Sequence, residues 1–138
     1  MKSINRFIMF SLMMGLLIFS GCKKDDNTND NNNNNVTKSK PTVVTLDVDN
    51  ISASTATGHG NITSDGNDPI TEAGVCWNTL PGPSLDDQHA KSSSTSTGKF
   101  DVNITGLSPS TTYYIKAYAI NGHGTSFGEE KTFDSTLK

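Results

Sequence analysis

Short runs in which apolar and polar residues alternate dominate the chain from residue 41 onward, and turn-forming residues separate one run from the next. Side chains two positions apart share one face of a strand, so this period predicts strands rather than helices. The run 70–78, for example, places Ala73, Val75 and Trp77 on one face. The predicted strands cover 43–48, 55–62, 70–78, at most one short edge segment before Gly98, 99–107, 113–120 and 128–133.

About seven short strands without a helix predict an all-β fold, specifically a seven-stranded antiparallel β-sandwich. The residues from 41 onward are numerous enough for one domain of that kind. Hydrophobic residues make up 33% of the whole chain, which is low for a protein that is globular throughout. The asparagine-rich run 27–40 explains that deficit, so the remainder has the composition of an ordinary folded domain.

The first 21 residues have the three parts of a secretory signal peptide. Lys2 and Arg6 form a basic start, and 7–19 is an apolar core too short to span a membrane comfortably. Two small residues then precede Cys22. The sequence "FSGC" resembles the lipobox of bacterial lipoproteins, and a plain signal peptide followed by an incidental cysteine is the alternative.

The lipobox resemblance implies that Cys22 becomes the lipid-bearing N-terminus and anchors the protein to a membrane. Several acyl chains anchor stably, whereas one binds marginally. The following "KKDD" lacks an aspartate at the second mature position and resembles the surface-export signals of Bacteroidetes-type lipoproteins. The resemblance therefore implies a cell-envelope protein in the outer membrane, with either face of that membrane left open.

Residues 23–40 contain a single apolar side chain, Val36, and cannot bury enough surface to offset the entropy of ordering. We therefore expect a disordered tether, with a root-mean-square span of roughly 25 Å for a flexible coil of that length. The predicted organisation is a signal peptide at 1–21, the lipidated cysteine and tether at 22–40, the sandwich domain at 41–134 and a short tail at 135–138.

Charge and cysteine content exclude several functions. The formal net charge is −3, and it becomes −5 once a signal peptide carrying Lys2 and Arg6 is removed. A mildly acidic surface argues against a nucleic-acid partner. If Cys22 is lipidated, Cys76 is the one cysteine left, so no intramolecular disulfide can form. We interpret Cys76 as a small, half-buried strand residue.

The stretch "LSPSTTYYIKAYAINGHG" resembles the fibronectin type III pattern, which implies an immunoglobulin-like sandwich. Tyr113 follows the turn between the fifth and sixth strands, where its ring can be buried and its hydroxyl can bond nearby backbone as a tyrosine corner. We expect a fold-defining core of Trp77, Leu107, Pro109, Tyr113 and Ile115. The positions in register with the pattern are Leu107, Pro109, Thr111, Tyr113, Ile115, Lys116, Ala119, Asn121 and Gly124.

The resemblance narrows further to the fibronectin type III-like modules of Bacteroidetes surface proteins, over about 41–133. Gly58 departs from that pattern, because a β-branched residue is common there, and it suggests a softer second strand. The "DST" at 134–136 also resembles an O-glycosylation acceptor of these bacteria.

No catalytic residue, metal ligand or cofactor is assigned from the sequence. His59, predicted on the solvent face of a strand, His89 and His123 lack the spacing of a zinc site. The segments 47–50 and 64–68 offer oxygen ligands without the full spacing of a known calcium loop. Neither a nucleophile elbow nor a recognisable catalytic triad is present. We therefore predict that the protein is not an enzyme.

The remaining candidates for recognition are aromatic and basic side chains. Tyr114 and Tyr118 should lie on the face opposite Tyr113, with Lys116 between them, and such a row can contact a protein or a glycan. It can equally be ordinary cross-strand packing. His123 is predicted at the tip of a glycine-rich turn. The candidate binding surface therefore consists of Tyr114, Lys116, Tyr118 and His123.

Strand alternation also predicts which loops share an end of the domain. The loops near 63–69, 92–98 and 121–127 should gather where the first strand begins, which is the tethered end. The sequence thus predicts a non-catalytic, lipid-anchored module that binds a protein or glycan at the cell envelope. The alternative is a structural spacer or an accessory subunit of a surface complex.

Overall fold

Eight β-strand segments in two antiparallel sheets form the regular structure of the computed structural model, which describes residues 35–138. Within this part of the chain no helix is long and apolar enough to cross a membrane. The predicted signal peptide, Cys22 and most of the predicted tether lie outside the described residues. The strands are β1 (Thr42–Thr45), β2 (Thr55–Ser64), β3 (Glu72–Asn78), β4 (Gln88–Lys91), β5 (Gly98–Thr105), β6 (Thr112–Asn121), β7 (Gly124–Phe127) and β8 (Lys131–Asp134).

The strand order confirms the predicted seven-stranded sandwich. One sheet has the order β1-β2-β5, and the other has β4-β3-β6, with β7 and β8 both on the far side of β6. β7 pairs with the last four residues of β6, and β8 pairs with the first four. The two segments therefore occupy one edge position, and the eight segments fill seven strand positions.

The core lies between the two sheets and follows the predicted alternation. Ala73, Val75 and Trp77 are buried on the inner face of β3, as the period of two requires. Phe100, Val102 and Ile104 do the same from β5 of the opposite sheet. Burying such side chains contributes about 1.5–3 kcal/mol each and provides the main driving force for folding.

Four of the five residues expected in the fold-defining core are buried, namely Trp77, Leu107, Tyr113 and Ile115. Pro109 is exposed, so its assignment to the core is wrong. It lies in a turn with Ser110, whose positive φ of 51° reverses the chain before β6. Proline fixes its own φ and so favours such a turn without contributing to the core.

The tyrosine corner is confirmed. The backbone N–H of Ser108 donates a 2.9 Å hydrogen bond to the hydroxyl of Tyr113. The ring of Tyr113 stacks on Phe133 of β8 with a centroid distance of 5.5 Å. This pairing fixes the connection between β5 and β6, which determines where the next strand begins.

The ordered domain begins before Pro41. The N–H of Ser39 donates to the carbonyl of Gly66 at 2.8 Å, and the side-chain amide of Asn121 donates to the carbonyl of Ser39 at 2.7 Å. Lys38 contacts the domain through its ammonium group. Residues assigned to the tether on composition alone are therefore part of the folded unit, which spans Val36–Lys138.

The predicted tail also begins too early. Ser135 is buried, and its hydroxyl donates to the carbonyl of Ser108 at 2.5 Å. The N–H of Thr136 donates to the carbonyl of Ser52 at 3.2 Å. Because the Ser135 hydroxyl is enclosed, the folded domain does not present the serine of the "DST" motif for glycosylation.

Candidate functional site

The four residues predicted to form a binding surface do not lie together on the surface of the domain. Tyr118 is fully buried, with 0% of its surface exposed, so its prediction as an exposed contact residue is wrong. Tyr114 and Lys116 are half-buried on the outer face of the sheet. His123 is exposed beyond the opposite end of β6, about 24 Å of strand away from Tyr114.

A glycine explains the burial of Tyr118. Gly74 is its cross-strand partner, and a Cβ at residue 74 would lie 2.9 Å from the Tyr118 ring and closer still to the carbonyl oxygen of Ala90. The Tyr118 hydroxyl donates to Glu72 at 2.9 Å, and the rings of His89 and Phe127 flank it. Burial, followed by the hydrogen bond and charge of Glu72, raises the pKa of the Tyr118 hydroxyl above its ordinary value.

Cys76 is more deeply buried than predicted. Its relative exposure is 0%, and its thiol lies 3.6 Å from the carbonyl of Lys116. Burial raises the pKa of the thiol to about 11. Since the thiolate is the reactive form, this cysteine is chemically inert at neutral pH.

The end at which the chain enters the domain carries a polar cluster that we call the latch, made of Lys38, Ser39, Asp68, Asn121 and His123. Asp68 accepts hydrogen bonds from the Lys38 ammonium at 2.9 Å and from His123 Nδ1 at 3.2 Å. It also accepts one from the N–H of Gly122 at 2.8 Å. The hydrogen bonds from Lys38 and His123 hold the pKa of Asp68 below its ordinary value.

The latch confirms the predicted clustering of loops at the end of the domain where the first strand begins. The β2–β3 connection and the β6–β7 turn meet through Asp68 and His123. The loop 92–98 approaches the first of these loops, since Thr95 and Pro69 line the same surface depression. His123 is thus bound to Asp68 rather than standing free at a tip, so a ligand contact there would compete with the latch.

A second polar cluster surrounds His59, on the outer face of the other sheet as predicted. Its Nδ1 lies 2.7 Å from Asp101 on β5. Its Nε2 lies 3.0 Å from Asp49, out of line for a hydrogen bond. Burial alone lowers the pKa of His59, but the two carboxylates outweigh that effect and raise the pKa above 6.5.

The segments considered for calcium are engaged by basic side chains of the protein. Asp47 pairs with Lys131, whose hydrogen bond and charge lower the pKa of the Asp47 carboxyl. Asp68 belongs to the latch. Across the part of the chain that the structure describes, no group of three or more His, Cys, Asp and Glu side chains is placed to hold a metal.

A concave feature, which we call the distal groove, lies at the end of the domain opposite the latch. Tyr113 at the start of β6 lines it, and Asn121 of the latch is eight residues further along the same strand. That separation is about 27 Å at roughly 3.4 Å per residue. The groove is open to solvent and has a volume of about 590 Å³. Its walls include Trp77, Asn78, Asp86, Asp87, Gln88 and Tyr113.

The loop 79–87, which borders the distal groove, is held by side-chain bonds. Asp87 accepts a 2.7 Å bond from the amide of Asn78 and a 2.9 Å bond from the N–H of Ser84. The N–H of Gly82 donates to Glu130 at 2.6 Å, which ties the loop to the β7–β8 connection. The groove is therefore largely preformed, as small-ligand sites usually are.

Sequence reasoning missed the distal groove. The alternation in β3 assigned Trp77 to the core, which is correct for its ring but says nothing about the indole N–H. The walls of the groove come from one strand end and two loops, and their relative positions depend on how the sheets pack. The local alternation of apolar and polar residues does not predict that packing.

Comparison with known proteins supports the fold. No protein-family model and no curated protein sequence matches the chain. Among solved structures, the sensor domain of the anti-sigma factor RsgI4 in Pseudobacteroides cellulosolvens aligns with a TM-score of 0.52 at 16% identity, over 72% of this chain and 98% of that chain. The third fibronectin III domain of the human KIAA0343 protein aligns with a TM-score of 0.50 at 12% identity, over 73% and 87%. Residues 35–138 therefore form a β-sandwich of the fibronectin type III kind.

Proposed function

We propose that this protein is a non-catalytic binding module of the bacterial cell envelope, anchored by lipid on Cys22. The observation that carries the proposal is the placement of the distal groove. It lies at the end of the sandwich away from the residues through which the chain enters, so a domain held at its N-terminus directs the groove outward. A spacer would not need such a preformed concave surface.

Two further features support a binding role. The solved neighbour from P. cellulosolvens is a sensor domain, and sensing requires recognition of something outside the domain. The groove carboxylate of Asp87 is occupied by donors from Asn78 and Ser84, so it holds the loop in place rather than being free for proton transfer. Both features favour recognition over catalysis.

The anchor is tested by Cys22→Ser in the native host. Metabolic labelling with an alkyne fatty acid should mark the wild type and leave the variant unlabelled. Equal labelling of the two proteins would contradict the anchor.

The binding role is tested by cross-linking on intact cells, followed by mass spectrometry of the purified complex. Placing a photo-reactive residue at Gln88, on the groove rim, should yield a specific cross-linked species. The matched control places the same residue at Lys99, on β5 and outside the groove. Identical background patterns from the two positions would contradict binding at the groove and favour the spacer alternative.

A further inference from the structure

We infer that β5 is a self-association edge, at which two copies of this chain pair their β5 strands antiparallel around a twofold axis at Val102. The pairing joins the three-stranded sheets of the two copies into one continuous sheet of six strands. It goes beyond the proposed binding at the distal groove and uses none of the residues that line that groove.

One long edge of β5 has no partner strand. β5 pairs with β2 alone, on its other edge. Thr57 of β2 exchanges both of its backbone hydrogen bonds with Asp49, on the side of β1. Because antiparallel ladders bond on alternate sides, Asn103, the β5 partner of Thr57, directs its N–H and C=O away from β2. By the same alternation, the outward-directed residues of β5 are Lys99, Asp101, Asn103 and Thr105.

The backbone groups on this edge are unpaired. Each of the four outward-directed residues carries one N–H and one C=O, which gives eight groups per strand. No further strand pairs with β5, and no hydrogen bond from a turn or side chain of residues 35–138 reaches these groups. A row of unpaired N–H and C=O groups is a template on which another strand can add.

The other edges of the two sheets are short or covered. β4, β7 and β8 have four residues each. The outer edge of β1 packs on the second sheet, where the Ala117 N–H donates to the Thr45 hydroxyl at 3.0 Å and Gly128 lies against the Thr45 backbone. β5 has eight residues, without a proline or a bulge, so it lacks the devices that usually protect an edge strand.

Hydrogen bonding and charge select one register for the pair. In a twofold antiparallel pair, outward-directed residues must lie opposite each other, because such residues exchange backbone hydrogen bonds. An axis at Val102 achieves this for all eight groups of each strand. Any other axis within β5 leaves an outward-directed residue unpaired, and an axis at Asp101 also places two carboxylates opposite each other, which is destabilising. The register at Val102 pairs Lys99 with Thr105, and Asp101 with Asn103.

The side chains that face each other in this register are complementary. One carboxylate oxygen of Asp101 lies 2.7 Å from His59 Nδ1, and the other has no hydrogen-bond partner among the described residues. The amide of Asn103 is exposed. It can donate to the free Asp101 oxygen of the second copy, and the twofold axis forms this contact twice. An unrelated strand would supply the backbone bonds without this matched pair, so the edge fits a second copy of the chain.

The second sheet also meets its copy at this axis. Ala90 of β4 pairs with Val75, and the Val75 side chain approaches Gly58, which is the β2 partner of Val102. The centre of β4 is therefore level with Val102. A twofold axis there brings the β4 strands of the two copies next to each other, so the interface includes both layers of the sandwich.

The test measures self-association of the full-length chain by sedimentation equilibrium in density-matched detergent. Asn103→Lys places an ammonium group opposite Asp101 of the other copy and should strengthen the dimer. Asn103→Asp places a carboxylate there and should weaken it, and each change should be about threefold to tenfold because the pair occurs twice. Thr132→Lys and Thr132→Asp make the matched charge changes at an exposed position of β8 and should leave the affinity unchanged.

Engineered cysteines test the register. Chains carrying Asp101→Cys and chains carrying Asn103→Cys are oxidised separately and as a mixture. An axis at Val102 predicts disulfide-linked dimers in the mixture alone, because each cysteine then faces the other position at a distance that a disulfide can bridge. Cys76 is buried and should not react. A Thr132→Cys chain is the control and should remain unlinked.

Several results would overturn the inference. They are a wild type that stays monomeric at every concentration, shifts of the same sign in Asn103→Lys and Asn103→Asp, and disulfide-linked dimers from either single variant alone. In the cross-linking experiment on intact cells, a photo-reactive residue at Lys99 should capture a second copy of this chain. Capture of a different protein there would also contradict self-association. A specific product from Gln88 would still support the proposed function, because the groove does not belong to this edge.

Discussion

His59 shows how one residue acquires its properties from neighbours that are distant in sequence. It lies on β2, with Asp101 across from it on β5 and Asp49 arriving from the β1–β2 connection. Its side chain is 22% exposed, so solvent partly screens both contacts. The two carboxylates favour the charged imidazolium and raise its pKa above 6.5.

The pH dependence of stability should follow from that raised pKa. Because His59 binds its proton more tightly in the folded state than in the unfolded state, protonation of His59 stabilises the fold. This contribution is fully present below pH 6.5 and is lost as the pH rises through the folded-state pKa of His59. Urea unfolding of the wild type should therefore show a decrease of about 1 kcal/mol or less between pH 5.5 and 8.5. His59→Asn should lack this decrease, and the exposed His89→Asn should keep it. Equal pH slopes in the wild type and His59→Asn would contradict the assignment.

Single residues were predicted well where local pattern decides and poorly where a partner strand decides. The hydroxyl of Tyr113 bonds backbone five residues away, and the sequence motif predicted that contact. Tyr118 was assigned to the correct face but with the wrong exposure, because its burial depends on Gly74 of another strand. The sequence around residue 118 does not show that its cross-strand partner, residue 74, is a glycine.

At the scale of elements, β2 is the clearest case of a strand whose glycines have a packing function. Gly58 and Gly60 face the core, where β-branched residues would usually pack. Phe100 lies directly over Gly60, and the ends of Ile104 and Ile115 approach Gly58. β2 nevertheless pairs with β5 over eight residue pairs. The glycines therefore make room for large side chains of the paired strand β5 and, at Gly58, also of the opposite sheet.

Adding one methyl group at each glycine tests this packing. In Gly60→Ala the new carbon overlaps the buried Phe100 ring, so we expect a loss of about 1–3 kcal/mol in the free energy of unfolding. In Gly58→Ala it meets flexible side-chain ends at 3.0–3.2 Å, and the loss should be smaller. Adding Phe100→Leu to Gly60→Ala should recover part of the loss, because the two sites are in contact. Urea unfolding measures all three, and a larger loss in Gly58→Ala than in Gly60→Ala would contradict this account.

The strands themselves were predicted with errors at their ends, and one strand was missed. Alternation located β2, β3, β5 and β6 to within about two residues. β7 lies in residues that were predicted as a loop, and the last strand, predicted as 128–133, is β8 and begins at Lys131. A break at 128–130 separates β7 from β8. The N–H of Gly128 donates to the carbonyl of Ala117, and backbone of β1 packs closely against Gly128. The break thus depends on β1, a strand distant in sequence, and the local alternation of residues does not predict that contact.

At the scale of the whole molecule, the two ends of the sandwich have different roles. The latch at one end binds the residues through which the chain enters, and the distal groove occupies the other end. The latch was missed because Lys38 and Ser39 belong to a polar segment whose composition predicts disorder. Their order comes from Asp68 and Asn121, which lie 30 and 82 residues away in sequence.

Removing the charge of Asp68 should loosen the latch without unfolding the domain. In Asp68→Asn the bond from the Lys38 ammonium loses its charge assistance, and those from His123 and Gly122 weaken. Hydrogen exchange of the Ser39 amide, which donates to Gly66, should become several-fold faster. The amides of β3 should exchange as in the wild type, and Asp86→Asn at the distal groove is the matched control. An unchanged rate at Ser39 would show that Asp68 does not hold the latch.

The placement of the latch and the groove at opposite ends has a mechanical consequence. A pull between Lys38 and the distal groove runs parallel to the strands. Hydrogen bonds between antiparallel strands lie perpendicular to them, so such tension shears the bonds between β1 and β2 together instead of peeling them apart one after another. The sandwich is therefore oriented to resist force along the axis that would join the proposed anchor to the proposed ligand.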